Sequence, residues 1–168
     1  MSTVAALRRA RSLGLRAAAL LAFLPPLLTR LVIGQAFYQT GSGKLRNFEG
    51  TVAFFTDLGI PMPELNAAFV SRLEFYGGLF LIVGLLTRLF AAGLLSTMVV
   101  ALATADKASF IEALRGTGDA GLTDVVPFVY LVFLLWLVIA GPGKLSLDAI
   151  ATRLLGNGTS PQPAPATA

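Results

Sequence analysis

Four stretches of this chain are apolar for long enough to approach a bilayer's thickness, and most polar residues fall between or beyond them. A hydrocarbon core of about 30 Å takes roughly 20 apolar residues as helix. The first stretch lies within residues 17–37 and is interrupted by Pro25-Pro26 and by Arg30. The second is 69–86, the third 89–105 and the fourth 122–140. Pro127 falls in the first turn of the fourth, where a helix tolerates proline. Only Thr87-Arg88 separates the second and third, which predicts a tight antiparallel hairpin with Arg88 marking the turn. Between the first two, Leu45, Phe48, Val52 and Phe55 recur at spacings of three and four. That period predicts a short amphipathic helix over residues 44–58, lying in the membrane interface and ended by Gly59 and Pro61-Met62-Pro63. The alternative is an ordinary loop packed on the bundle. The expected architecture is an all-α membrane protein: a four-transmembrane-helix bundle with an interfacial amphipathic helix between helices 1 and 2.

Composition fits a lipid-facing surface. Of 168 residues, 55% are hydrophobic and 13% charged, with mean hydropathy +0.77. A soluble domain carries about 25% charged residues. Residues 1–16 read as a basic cytoplasmic N-terminus, 17–155 as the membrane domain and 156–168 (GNGTSPQPAPATA) as a disordered Pro/Ala-rich tail. The arginines before residue 17 and the apolar run after them imitate a signal peptide, but the run continues past Pro26, so an uncleaved first span is expected. The net charge of +4 forms no patch with interleaved aromatics, which argues against nucleic acid.

Charge also orients the chain. With the N-terminus inside, Arg8, Arg9, Arg11, Arg16, Arg88, Lys144 and Arg153 lie on the inner side, against Lys44, Arg46, Lys107 and Arg115 outside. Seven inside against four outside predicts a multi-pass inner-membrane protein with both termini cytoplasmic. Trp136, near the inner end of the fourth stretch, reads as an interfacial belt residue.

Cysteine and histidine are both absent. That excludes disulfides, catalytic thiols, zinc or iron–sulfur sites built on those residues, and His-ligated haem. Proton chemistry would fall to Glu, Asp, Lys or Tyr. No covalently bound cofactor and no metal site is expected.

Three charges stand inside the predicted spans, Arg30, Arg72 and Glu74, and of these Arg30 and Glu74 are the sharper pair. A lone charge at the bilayer centre costs about 2.5–3.5 kcal/mol on insertion scales, and such residues mark functional sites by default. Antiparallel first and second helices would bring Glu74 near Tyr38, Gln39 or Lys44. Whether Arg30 reaches that group depends on where the first helix begins. Tyr38, Lys44, Glu74 and Arg30 form the candidate polar cluster, with bundle stabilisation weighed beside function. Gly77 and Gly78, one turn after Glu74, would let helices approach closely. Gly93, Thr97, Ala101 and Ala105 form a small-residue stripe whose expected role is bundle packing.

Several motifs occur in a telling order: Arg30 and Gly34 in the first span, GSGKL at 41–45, LGIPMP at 58–63, LEFYGGLFLIVGLLTR at 73–88 and GPGKLSLDA at 141–149. Together they resemble the DoxX family of small four-helix membrane proteins over about residues 27–150. The family's G-x-x-K falls on Gly41 and Lys44, its Leu-Glu-x-x-Gly-Gly on Leu73, Glu74, Gly77 and Gly78, and its closing motif on 141–148. The resemblance implies a subunit or anchor of a membrane redox complex, quinone-linked or related to oxidative stress. It carries no settled catalytic residues. Quinone is the implied cofactor, in an apolar slot with one or two hydrogen-bonding groups. Partners would be the bilayer, soluble or membrane redox subunits, or further copies of the chain. The competing readings are a non-catalytic scaffold and a small transporter of unknown ligand, although no inverted repeat or broken helix is visible.

Overall fold

The computed structural model describes residues 18–156 continuously, with Arg11, Gly14 and Leu15 ahead of them. The basic residues Arg8, Arg9 and Arg16 and the tail from Asn157 onward lie outside the described residues. Helix makes up 81% of the structure, and no strand occurs among the described residues. In order the helices are α1 (Leu24–Arg46), α2 (Phe48–Asp57), α3 (Pro63–Val83), α4 (Thr87–Ala103), α5 (Lys107–Arg115), α6 (Val126–Ala140) and α7 (Leu147–Gly156). A 3₁₀ turn, Leu122–Asp124, precedes α6.

Helix ends follow the local chemistry. Prolines stand in the first turns of α1, α3 and α6, where the missing N–H would have no intrahelical partner. Gly84 closes α3 in the left-handed conformation (φ 73°), which glycine adopts without steric cost. The turn between α3 and α4 is therefore Gly84–Leu86, one turn earlier than the Thr87-Arg88 expected from hydropathy. Leu85 and Leu86 are apolar, so the turn is invisible to a hydrophobicity count. Leu86 itself is left-handed (φ 48°), a strained state for a side chain with a Cβ. The Asp148 carboxylate compensates by accepting the N–H groups of Leu86 (2.8 Å) and Thr87 (3.0 Å) at the start of α4.

Other boundaries also shift. α1 runs to Arg46, beyond the expected end of the first stretch at residue 37, so the GSGK residues are helical. α3 begins at Pro63, well before residue 69. Length and composition qualify two helical stretches as membrane spans, Ala18–Arg46 and Pro63–Val83. α4 and α5 qualify together but are bent by 80°. α6, at 15 residues, is shorter than the usual 17–25.

α1 and α3 form the closest pair. Glycine makes it possible: a Cβ on Gly41 would run into the backbone of Phe75, and one on Gly78 into the backbone of Tyr38. α4 packs on α3 and α6, and α2 folds back onto α3. The apolar core joins Ile33 and Phe37 of α1, Leu81 of α3, Leu94 of α4 and Leu134 and Leu137 of α6. Outside this core the surface is also apolar, with Leu28, Val32, Leu79, Leu89, Phe133 and Ile139 exposed. In water such a surface would aggregate; against lipid tails it is the stable arrangement.

Candidate functional site

Glu74 is 2% exposed and faces α1 from α3. Lys44 donates to its Oε1 at 2.5 Å, forming an ion pair. Thr40, one turn before Lys44 on α1, donates to Oε2 at 2.9 Å. Both carboxylate oxygens are thus engaged, which offsets part of the cost of burying the charge. Lys44 is the more accessible partner, with a side chain 31% exposed, and an ammonium has three donors of which Glu74 takes one.

This pair lines a cavity of about 210 Å³, together with the neutral polar side chains of Asn66, Ser96, Thr97 and Thr104. Phe54, Phe55 and Leu58 line it from α2 and the residue after it, Phe69 and Val70 from α3, and Thr97, Met98 and Ala101 from α4. Thr97, Ala101 and Ala105, the upper three residues of the small-residue stripe, all border this space. Gly93 does what the sequence suggested, receiving Leu73 of α3 against its backbone. The short side chains of the other three also leave volume open beside α4.

Arg30 does not belong to this cluster. Fourteen residues separate it from Lys44 along α1, about 21 Å of helix. α1 begins at Leu24, so Arg30 sits in its second turn, at the opposite end of the bundle. There it is 1% exposed and its Nη2 donates to the carbonyl of Leu145, while its guanidinium packs over Gly84 beside Ser146. Nε and Nη1 of Arg30 and the hydroxyl of Thr87 have no hydrogen-bond partner. Asp148 completes this end, bonding its own N–H to the Gly84 carbonyl at 2.9 Å. Tyr38 also stands apart. It is 39% exposed and its ring lies tilted against Phe75 at 5.0 Å, with no hydrogen bond to Glu74.

The four-residue cluster expected from sequence therefore resolves into one close pair, Lys44–Glu74, with Arg30 and Tyr38 elsewhere. Thr40 was missed, although it lies four residues before Lys44 and so on the same helical face. Asp148 was quoted as motif but not as partner to the α3–α4 turn. α2 was expected as a helix; its contribution of a cavity wall was not foreseen.

The model of the DoxX family matches residues 25–107 of the chain. A Bacillus subtilis (strain 168) protein named "Putative oxidoreductase CatD" is 30% identical over 135 residues, covering 79% of this chain and 90% of that protein. "Inner membrane protein YphA" of Escherichia coli (strain K12) is 32% identical over 131 residues, covering 73% of this chain and 86% of that protein. No solved structure matches.

Proposed function

The chain belongs to the DoxX family of membrane proteins, and from that premise we propose that it is the membrane subunit of a quinone-linked redox complex, with a quinone headgroup held in the cavity at Lys44–Glu74. The observation that carries this reading is the cavity itself: mostly apolar walls, a few neutral polar side chains and a single charged pair. Ligand pockets typically combine an apolar body with a few placed polar groups. The volume, about 210 Å³, exceeds the roughly 150 Å³ that accommodates benzene in an engineered protein cavity. One ring with small substituents fits, and a longer tail would leave toward lipid.

Quinone supplies two-electron, two-proton chemistry when bound. The chain's own part is narrower. Lys44 offers donors to a ring carbonyl oxygen, Glu74 holds Lys44 in place, and Thr40 holds Glu74. The walls from α2 and α4 exclude water. Lacking Cys and His, the chain has none of their thiolate or imidazole ligands for a metal centre, so electrons pass to or from partner subunits. The Bacillus subtilis relative has "oxidoreductase" in its name, which agrees with this reading.

In the same proposal α1, α3, α4 and α6 each cross the membrane, both termini are cytoplasmic, α2 lies in the outer interface and the cavity opens toward the outer leaflet. The basic residues favour this orientation.

Binding tests the proposal. A short-chain benzoquinone added to the detergent-purified chain at a hundredfold excess over its Kd should stabilise it by about 2.7 kcal/mol, read as a rise in thermal midpoint. Glu74→Gln should abolish that rise. No rise in the unsubstituted protein would leave Lys44–Glu74 as bundle glue and favour the scaffold reading.

A further inference from the structure

Arg72 is exposed and stands midway along α3, a position that would ordinarily put a charge near the bilayer centre. The Lys44–Glu74 pair fixes a different depth. α1 and α3 are antiparallel, and Lys44 lies two residues before the end of α1 while Glu74 lies two residues after Arg72. Arg72 is therefore level with the last turn of α1, which holds Lys44 and Arg46. The half of α3 before it rises beyond the end of α1, where α2 packs against it. With α2 in the outer interface, as proposed above, that level is headgroup depth rather than the lipid tails.

From Arg72 an apolar groove follows the outer face of α3, lined by Leu65, Phe69, Leu73, Tyr76, Phe80 and Phe90. Phe80 and Phe90 stack at 4.5 Å and form its floor away from Arg72. Arg72 gives one hydrogen bond, from Nη1 to the Ala68 carbonyl at 3.0 Å. Among the described residues it makes no ion pair, since the recorded pair is Lys44–Glu74. Among the described residues it donates no other side-chain hydrogen bond. Glu64, which shares the adjoining groove, is eight residues away, about 12 Å along the helix.

We propose that this groove is a binding site for an anionic phospholipid, with Arg72 on the phosphate and an acyl chain along Tyr76, Phe80 and Phe90. The charge selects the occupant. A guanidinium at headgroup depth pairs bidentately with phosphate, and apart from the Tyr76 hydroxyl the groove below it offers apolar contact. The half-exposed Tyr76, one turn from Arg72, presents a ring and a hydroxyl at the same boundary. The site is separate from the Lys44–Glu74 cavity and independent of quinone.

Native mass spectrometry of the full chain in detergent tests this, with dioleoyl phosphatidylglycerol competing against dioleoyl phosphatidylcholine. One basic residue near an anionic lipid surface is worth about fivefold in binding, so a preference of that order is expected for phosphatidylglycerol. Arg72→Gln should bring it to within twofold of parity, while Arg72→Lys keeps most of it. Arg46→Gln, level with Arg72 but on another helix, should leave it unchanged. Arg72 is exposed, so these variants should keep the thermal midpoint of the parent. Equal preference in Arg72→Gln and the parent overturns the site. Equal losses in Arg46→Gln and Arg72→Gln overturn it in favour of diffuse attraction. Loss of a dimer in Arg72→Gln, without change in lipid preference, overturns it in favour of a second copy over the groove.

Discussion

The two ends of the α1–α3 pair each bury a charge, and they do so in opposite ways. At one end Glu74 has both oxygens engaged, by Lys44 and Thr40, and its ion pair borders an open cavity. At the other, Arg30 is sealed under Gly84 and the loop before α7, holds one backbone carbonyl, and leaves two nitrogens unpartnered. A buried group with unmade hydrogen bonds is costly, so Arg30 persists because it ties three segments together: α1, the α3–α4 turn and the loop that starts α7. The satisfied charge borders open space, and the unsatisfied one joins three segments. That division can be broken experimentally.

The largest effect belongs to Arg30→Ala. It removes a large fully buried side chain, leaves the Leu145 carbonyl unpaired and takes the positive neighbour from Asp148. A loss of about 3–5 kcal/mol is expected, seen as a much lower thermal midpoint in detergent. Arg30→Met keeps most of the packed stem and deletes the two unpartnered nitrogens, so it should cost clearly less than alanine. If methionine destabilised as much as alanine, the guanidinium would be doing more than its visible contacts account for.

Glu74→Ala comes next. It strands Lys44 and Thr40, and should cost about 1–3 kcal/mol. Glu74→Gln keeps shape and one acceptor and should cost less than 1 kcal/mol, while losing the quinone-induced shift. A double-mutant cycle of Glu74→Gln with Lys44→Met isolates their coupling. A coupling near zero would erase the contrast between the two ends.

This asymmetry explains what was legible in the residues. The long apolar runs and the lone carboxylate at Glu74 announced the membrane helices and one half of the pair, and antiparallel pairing of the first two spans put Lys44, with Tyr38 and Gln39, among its expected neighbours. Arg30's partners were not legible. They are a backbone carbonyl 115 positions away and a glycine whose φ no hydropathy pattern encodes. The turn was misplaced because its position depends on left-handed Gly84 and on Asp148 reaching back from the start of α7. The cavity was hidden for another reason: it is volume left vacant by Thr97, Ala101 and Ala105, and a stripe of small residues reads equally as close packing.

The smallest effect on stability is the sharpest test of the open end. Ala101 lines the cavity from α4, and its short side chain helps keep that space vacant. Ala101→Leu adds apolar volume where there is room, so overpacking strain, about 1–3 kcal/mol in a well-packed core, should be largely avoided. A change within about 0.5 kcal/mol of the parent is expected. The Lys44–Glu74 pair should stay intact, since the substitution touches neither residue. Yet the ring would no longer fit, and the quinone-induced rise in midpoint should vanish. Retention of that rise in Ala101→Leu, with loss in Glu74→Gln, would move the ligand to another surface reached by Glu74. Retention in both would separate the pair from binding altogether, and the two ends of the bundle would then be alike in serving structure alone.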